Sequence, residues 1–169
     1  VKLCVSSPIT EFISELTNSL LQEGRVILAG NVLKVQSLHF PEKPTFGSKV
    51  MMRTLSPITV YSTLLTPDGR KKTYYYTPYE EEFSDLIVKN LQKKHVLLYG
   101  RESKGYLTIR PHGSRPREVY TTFKGTIIRG WVGRFLLEGS HELIDVGYET
   151  GLGSKNSMGF GMVEVDRVD

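Results

Sequence analysis

Apolar residues follow two different periods along the chain, and the change of period marks its helices and strands. Alternation over VKLCVS at the start predicts a strand. A helix is predicted between Ser7-Pro8 and Gly24, because apolar residues recur every three to four positions, at Ile9, Phe12, Leu16 and Leu20. Two further strand patterns, RVILA and VLKVQSLHF, flank Gly30-Asn31, a dipeptide typical of a tight antiparallel turn. The first 42 residues therefore predict one helix and three strand runs.

A second and longer series of elements begins at Ser48. Two strand patterns, KVMMRTLSPITVYSTLL and KKTYYY, are separated by residues 66–69, whose sequence Thr-Pro-Asp-Gly predicts a hairpin turn. A helix is predicted next, because Thr77 and Glu80 match a capping box and Gly100 suits the helix end. Pro78 would occupy the first helical position, and the apolar face consists of Phe83, Leu86, Ile87, Leu91 and Leu98.

Two strands, a short helix and a last strand complete this series. YLTIR and EVYTTFKGTIIRGWVGRFLL have strand character, and the glycines within the second predict bulges or bends. A helix is predicted after Ser140, and MGFGMVEVD has the pattern of a final strand. Residues 48–166 therefore have the order β-α-β-β-α-β, which predicts a ferredoxin-like α+β fold. The first 42 residues match only the second half of that order, so we expect a further strand and helix to be encoded before Val1.

The net charge of +4 is concentrated in two parts of the chain. Residues 43–76 carry six lysines and arginines against one acidic residue, and residues 101–139 carry eight against three. Each of these stretches has a charge of +5, and the rest of the chain sums to −6. If strands from the two stretches share a sheet, one face is basic, which would permit nucleic-acid binding.

Composition excludes several other classes of protein. The single Cys4 cannot form an internal disulfide, which is typical of an intracellular protein, and we expect a cytoplasmic location. No stretch approaches the roughly 18 consecutive apolar residues of a membrane helix, so no membrane partner is expected. Residues 80–82 are consecutive glutamates that point in different directions on a helix, so they predict no metal site, and no cofactor is expected.

The four histidines show no pairing at helical spacing. His39 ends a strand pattern, His95 lies late in the long helix, His112 follows a proline in a loop, and His141 opens the last helix. We interpret each as a surface or helix-end residue rather than a catalytic group. His112 is the best exception, since it lies within the arginine-rich residues 110–117.

Residues 150–161, between the last helix and the last strand, form the most specific feature of the sequence. They read TGLGSKNSMGFG. Glycine admits positive φ and lets amide groups approach an anion, while Lys155, Asn156 and Ser157 add a charge and hydrogen-bonding groups. One interpretation is a loop that binds a phosphate backbone. The alternative is a structural loop that lets a helix turn into a strand, and the spacing alone does not separate the two.

The segment 151–165, GLGSKNSMGFGMVEV, carries a resemblance to a known family together with two other segments. These are LSPITV at 55–60 and the helix YEEEFSDLIVKNLQKKH at 79–95. The three segments closely resemble the Cas6 family of CRISPR repeat-processing endoribonucleases, and the resemblance extends over nearly the whole chain. It implies tandem ferredoxin-like (RAMP) domains, with residues 1–42 as the C-terminal part of the first domain and residues 43–169 as the second.

The resemblance also implies a function and a partner. Members of the family bind CRISPR repeat RNA in the precursor transcript and cleave it without metal, by attack of a 2′-OH, to leave 2′,3′-cyclic phosphate and 5′-OH ends. The catalytic histidine of the family comes from the first domain and would precede Val1, so no catalytic residue is assigned in this chain. Subunits of a CRISPR effector complex and a second copy of the chain are further partners that the resemblance leaves open.

Two sets of residues are predicted to bind RNA. The first is the loop and the second consists of cations on or between strands, some of them beside Tyr74, Tyr75 and Tyr76, for which packing on a sheet is the favoured interpretation. The predicted residues are Gly151, Gly153, Ser154, Lys155, Asn156, Ser157, Gly159 and Gly161 of the loop, and Arg70, Lys71, Lys72, Arg115, Arg117, Lys124 and Arg129.

Two other functions stay open on the sequence. One is a RAMP subunit of a CRISPR effector complex that binds RNA without cleaving it. The other is a ferredoxin-like domain for protein assembly or small-ligand binding, whose charge would be incidental.

Overall fold

The computed structural model describes residues 1–166, and it divides the chain into two compact units, Val1–Pro44 and Thr45–Asp169. Residues 167–169, which end the predicted second domain, lie outside the described residues. The first unit contains helix α1 (Thr10–Glu23) and a hairpin of strands β1 (Arg25–Leu28) and β2 (Asn31–Lys34).

Local geometry in the first unit differs from the sequence prediction in three places. Helix α1 begins two residues after Pro8, and the Ser7 hydroxyl accepts a hydrogen bond from the Ile9 amide at 3.1 Å. The hairpin turns at Ala29 and Gly30, which have positive φ, so Asn31 is already the first residue of β2. Strand β2 ends at Lys34, and neither the opening residues 1–6 nor residues 35–40 form a strand.

The second unit contains eight strands and two α-helices among its described residues. They are β3 (Lys49–Thr54), β4 (Tyr61–Leu65), β5 (Lys71–Tyr75), α2 (Glu81–Tyr99), β6 (Leu107–Pro111), β7 (Arg117–Phe123), β8 (Thr126–Val132), β9 (Arg134–Gly139), α3 (His141–Thr150) and β10 (Val163–Val165).

Four of these strands form one antiparallel sheet in the order β10-β3-β9-β6. With α2 between β3 and β6, and α3 between β9 and β10, the chain order is β-α-β-β-α-β. This confirms the predicted ferredoxin-like α+β fold. Helix α2 buries its residues Phe83, Ile87 and Leu91. The ring of Phe83 stacks on that of Phe135 of β9, with the ring centroids 6.0 Å apart.

Two hairpins, β4-β5 and β7-β8, are inserted into this order. The predicted turn at residues 66–69 is confirmed, because the Gly69 amide donates to the Thr66 carbonyl at 2.8 Å. The prediction of one long strand over 118–137 is wrong. Lys124 and Gly125 both adopt positive φ, which reverses the chain and converts the expected strand into β7, β8 and β9.

Helix α2 starts later than the capping box predicts. It begins at Glu81, and residues 77–80 form a separate turn in which the Glu80 amide donates to the Thr77 carbonyl at 3.1 Å. One half of the capping box is present, since the Glu80 carboxylate accepts a hydrogen bond from the Thr77 amide at 2.5 Å. No helix within the described residues is long and apolar enough to cross a membrane.

Candidate nucleic-acid interface

The glycine-rich loop, residues 151–161, leaves the C-terminal end of α3 and returns to the sheet at β10. Its middle forms one 3₁₀ turn, Asn156–Met158. Ser157, Met158 and Gly159 are exposed. Both ends of the loop are buried, at Gly151, Leu152, Gly153, Phe160 and Gly161. The loop therefore presents only its middle to a partner.

Close packing explains three of the four loop glycines. Gly161 has φ of +78°, and a Cβ at this position would lie far inside van der Waals contact with the Leu152 carbonyl oxygen. At Gly153, with φ of +75°, a Cβ would lie 2.5 Å from the Thr59 carbonyl oxygen. A Cβ at Gly151 would lie 2.7 Å from the side-chain nitrogen of Asn156. These glycines let the two ends of the loop meet, whereas Gly159 faces open space.

Hydrogen bonds within the protein occupy several amides of the loop. The Ser154 amide donates to the Thr59 carbonyl at 2.8 Å, and the Gly161 amide donates to the Pro57 carbonyl at 2.9 Å. The Gly151 amide caps α3 by donating to Gly147 at 2.9 Å. The glycines at the buried ends of the loop therefore serve packing, as expected for a structural loop. Only the exposed middle of the loop is left to bind a phosphate backbone.

Asn156 uses its side chain inside the loop. Its Nδ2 donates to the carbonyls of Leu152, at 3.2 Å, and Phe160, at 2.9 Å, on opposite sides of the 3₁₀ turn. Its Oδ1 accepts a hydrogen bond from Lys94 Nζ at 2.7 Å. Asn156 therefore belongs to the framework of the loop.

Lys94 is a site residue that the sequence interpretation missed. It lies on α2 three residues after buried Leu91, and its Nζ also donates to the Gly151 carbonyl at 2.8 Å. Burial lowers the pKa of Lys94 from 10.5 to about 8. Its position on the apolar face, between Leu91 and Leu98, is the signal in the sequence that would have found it.

Residues 55–60, the LSPITV segment, connect the loop to both hairpins. Ile58 pairs with Trp131 of β8 through two backbone hydrogen bonds of 3.0 and 2.8 Å. Buried Thr59 donates from Oγ1 to the Arg129 carbonyl at 2.7 Å while its own carbonyl accepts from Ser154. The Val60 carbonyl accepts from the Tyr76 amide at 3.0 Å. One extended segment therefore positions every element of the candidate interface.

Lys155 joins the exposed middle of the loop to the first hairpin. Its backbone adopts φ of +62°, and its Nζ lies 5.0 Å from the centroid of the Tyr61 ring of β4. The Tyr61 and Tyr75 rings lie 5.6 Å apart, and the Tyr75 hydroxyl donates to the Ile127 carbonyl of β8 at 3.2 Å. A half-buried aromatic pair with a cation above it thus lies where the loop meets both hairpins.

The cations of the first hairpin lie at its far end. Arg70, Lys71 and Lys72 are exposed, and Arg70 forms an ion pair with Asp68 of the turn at 2.5 Å. Lys71 pairs across the hairpin with Leu65, four residues from Tyr61. At the rise of an extended strand this is about 13 Å from the aromatic pair. Lys71 and Lys72 point to opposite faces of the hairpin, since they are adjacent in a strand.

The cations of the second hairpin are divided between its two faces. Tyr120 pairs with Arg129, and Arg117 pairs with Val132, which places Arg117 and Arg129 on opposite faces because their strand positions differ in parity. The Arg129 guanidinium forms an ion pair with Glu118 and lies 5.8 Å from the Tyr120 ring centroid. Lys124 occupies the turn. Arg117 and Arg129 therefore present their charges on opposite faces of this hairpin.

Arg115 is the last of the cations predicted to bind RNA. Arg115, exposed between β6 and β7, lies 5.9 Å from the centroid of the Tyr79 ring.

Three of the four histidines, His39, His112 and His141, are exposed, as expected. The surface interpretation of His95 is wrong, because this side chain is only 1% exposed and its Nδ1 lies 2.8 Å from the Arg101 carbonyl oxygen. Residues 1–166 contain no group of three metal-ligating side chains.

Of the three consecutive tyrosines at the end of the first hairpin, Tyr75 and Tyr76 are half-buried, as packing on a sheet predicts, and Tyr74 is not. Tyr76 is half-buried and accepts a hydrogen bond at its carbonyl from the Trp131 indole at 3.1 Å. Tyr74 is exposed, and its hydroxyl donates to Glu80 at 2.7 Å. That bond contributes most to raising the pKa of Tyr74, and the amide of Thr77 is the main cause that lowers the pKa of the Glu80 carboxyl.

The chain is similar to several known proteins. The family model for "CRISPR associated protein Cas6, C-terminal" matches residues 40–165. A CRISPR-associated endoribonuclease Cas6 from Methanocaldococcus jannaschii is 34% identical over 171 residues, covering 95% of this chain and 62% of that protein. A second from Pyrococcus furiosus is 31% identical over 161 residues, covering 95% of this chain and 59% of that protein.

A solved structure shows the same fold. It belongs to a Cas6-related gene of Pyrococcus furiosus, with a TM-score of 0.86 and 24% identity, and the match covers 97% of this chain and 67% of that one. The chain thus spans about three fifths of the length of the two curated relatives that it matches. Because the family model matches most of the chain, this chain belongs to the Cas6 family.

Proposed function

We propose that the protein binds CRISPR repeat RNA and cleaves it as an endoribonuclease. The observation that carries the proposal is the position of Lys155 above the Tyr61 ring, which contacts the Tyr75 ring, in a Cas6-family domain whose hairpins carry further exposed cations. Aromatic faces and cations on a flat surface suit an RNA strand, because bases stack on rings and phosphates attract ammonium groups. The M. jannaschii and P. furiosus relatives are named endoribonucleases, which supports the same activity here.

The proposed chemistry uses the 2′-OH of the substrate as the nucleophile. A base removes the 2′ proton, a cation or amide stabilises the charged phosphorane, and an acid protonates the leaving 5′ oxygen. The bond from phosphorus to the 5′ oxygen breaks as the bond to the 2′ oxygen forms, which leaves a 2′,3′-cyclic phosphate and a 5′-OH. No step requires a metal. In this proposal the described residues bind and orient the RNA, and none of them is assigned as the catalytic base or acid.

The division of the chain fits this proposal. We place residues 43–169 as a second ferredoxin-like RAMP domain and residues 1–42 as the latter part of a first one, in a cytoplasmic protein. RNA is the principal partner in this proposal. Subunits of a CRISPR effector complex, or a second copy of the chain, would bind in addition to it.

Cleavage of repeat RNA by the full-length protein in EDTA tests the function. We expect one cut, with a cyclic phosphate on the upstream product detected by mass spectrometry. A matched RNA with a single 2′-deoxy nucleotide at the cut should be retained and left intact, since it lacks the nucleophile. Retention of the normal RNA without cutting would instead indicate a non-cleaving RAMP subunit. If the protein shows no salt-sensitive retention of the RNA, the result would favour a domain for protein assembly or small-ligand binding.

The contribution of the loop is tested by single variants. Lys155→Ala should weaken RNA binding and lower the slope of log affinity against log salt by about one. Lys104→Ala is the matched control, because Lys104 is exposed near His141, at the opposite end of α3 from the loop. An equal effect of the two variants would exclude a specific phosphate contact at Lys155.

A further inference from the structure

One partly buried ammonium group, that of Lys94, forms hydrogen bonds that hold the glycine-rich loop. Lys94 Nζ donates to the Gly151 carbonyl at 2.8 Å and to Asn156 Oδ1 at 2.7 Å. The amide of the same Asn156 then donates to the carbonyls of Leu152 and Phe160. Through two side chains, α2 is therefore connected to the beginning, the middle and the end of the loop.

The stability of the fold does not explain a lysine at this position. The acceptors of its hydrogen bonds are the backbone carbonyls of Thr150 and Gly151 and the side-chain amide of Asn156, all of them neutral. Burial disfavours the charged form, which is why the pKa of Lys94 is lowered. A methionine has a similar length and would fill the same space without placing a charge there. The ammonium thus supports the geometry of the loop at the expense of its own hydration.

The part of the loop that this network holds is the part that reaches the surface. Lys155 and the exposed residues 157–159 lie between Leu152 and Phe160, the two carbonyls that Asn156 joins. Lys155 also adopts φ of +62°, a conformation that a lysine rarely takes unless its neighbours are fixed. Loosening the two ends would release Lys155 from its position above Tyr61.

We propose that Lys94 is a positioning residue for RNA binding, which clamps the loop through Gly151 and Asn156 so that Lys155 is presented above the Tyr61 ring. The inference rests on the proposed RNA-binding function. It assigns Lys94 no contact with RNA, so its effect on affinity differs in kind from that of Lys155.

The test compares Lys94→Met with Lys93→Met in the full-length protein. Lys93 is the adjacent, exposed lysine of the same helix, so its variant removes the same charge without touching the loop. For Lys94→Met we expect faster amide hydrogen exchange confined to residues 151–161 and about tenfold weaker binding of repeat RNA. The salt slope and the melting temperature should not fall. Lys93→Met should leave loop exchange unchanged.

The network predicts a further result. The double variant Lys94→Met, Asn156→Ala should bind RNA no more weakly than the worse of its two single variants, because both remove the same clamp. Additive losses would contradict a shared network. A salt slope lowered by about one in Lys94→Met would show a direct phosphate contact and overturn the positioning role. A fall in melting temperature with faster exchange throughout the sheet would show a general core role and also overturn it.

The inference and the proposed function fail in different ways. If the unmodified protein retains no repeat RNA, the proposed function is wrong. Hydrogen exchange of residues 151–161 still decides whether Lys94 clamps the loop, since that measurement needs no RNA. Unchanged exchange in Lys94→Met overturns the clamp even if RNA binding is observed.

Discussion

The two units of the chain are built from similar local elements and reach different degrees of burial. Helix α1 carries apolar residues at helical spacing, yet none of residues 1–44 is buried. Helix α2 buries Phe83, Ile87, Leu91 and His95. Among the described residues, the first unit gives helix α1 only a two-stranded hairpin to pack on, whereas the four-stranded sheet of the second unit supports two helices. An amphipathic helix has an apolar face that can be buried, and the size of the sheet beside it determines how much of that face is buried.

Glycine ends a helix in the same way in both units. Gly24 ends α1 with φ of +61°, and Gly100 ends α2 with φ of +70°. In each case the amide of the glycine donates to the carbonyl four residues earlier, at 3.0 and 2.8 Å. Capping therefore does not distinguish a helix with a core from one without. The contrast between the units arises from tertiary packing, and the following four predictions test it.

The largest contrast is expected for phenylalanine truncation in the 169-residue chain. Phe135→Ala removes a fully buried ring that stacks on Phe83, so the free energy of unfolding should fall by about 3–5 kcal/mol. Phe12→Ala removes a ring that is 49% exposed and should cost less than about 1 kcal/mol. Urea denaturation followed by circular dichroism measures both. Similar losses for the two variants would contradict the contrast between the units.

A smaller contrast is expected for glycine substitution. Gly161→Ala meets both a positive φ and the Leu152 carbonyl, so it should destabilise the second unit by about 3 kcal/mol. Gly24→Ala in the first unit has a positive φ and open space around it, so about 1 kcal/mol is expected. Thermal unfolding of the two variants makes the comparison. If Gly161→Ala is as mild as Gly24→Ala, the two ends of the loop do not meet as closely as the structure shows.

The enclosed cation of the second unit predicts a pH dependence of stability. The pKa of Lys94 is about 8 when folded and 10.5 as its ordinary value, so between these values the unfolded chain holds a proton that the folded protein has released. The free energy of unfolding should therefore rise with pH across this window, by about 3 kcal/mol. Lys94→Met should abolish that rise and Lys93→Met should keep it. Urea titrations between about pH 7 and 10.5 would refute the assignment if both variants retain the rise.

The smallest effect concerns Arg129 in the second unit. Glu118→Gln weakens the ion pair of a partly exposed guanidinium, so the free energy of unfolding should fall by less than about 1 kcal/mol. The same change frees positive charge beside Tyr120, and RNA binding by the full-length protein should strengthen slightly. Glu15→Gln in helix α1 is the matched control. Weaker RNA binding by Glu118→Gln would show that the ion pair orders the interface instead of competing with RNA.

Several elements could be predicted because their signals are local. The turn at residues 66–69 and helix α3 after Ser140 depend on a few neighbouring residues, and both form where the sequence places them. The β-α-β-β-α-β order follows from the sequence of such elements. Of the interface, the loop was identified by its glycines and Lys155.

Other features could not be predicted because distant residues create them. The β7-β8 turn has positive φ at the non-glycine residue Lys124 as well as at Gly125, whereas the sequence pattern predicts only a bulge or bend within one strand. His95 is buried only because the Arg101 carbonyl and α3 enclose it. The ring of Tyr61 and the ammonium of Lys155 are 94 positions apart and meet only because residues 55–60 bind the loop and both hairpins.

The sequence by itself determined the β-α-β-β-α-β order, the glycine-capped C-terminal ends of α1 and α2, and the family, because these depend on spacing within short segments. Only the tertiary structure decided which glycines serve packing and which cations remain available. Gly161 is needed because the Leu152 carbonyl, at the other end of the loop, approaches it, and Gly153 is needed because the Thr59 carbonyl of residues 55–60 approaches it. Lys94 and Lys155 have the same side chain, yet one faces carbonyls inside the fold and the other faces an aromatic ring at its surface. Their surroundings, and therefore their roles, are set by contacts that no local pattern contains.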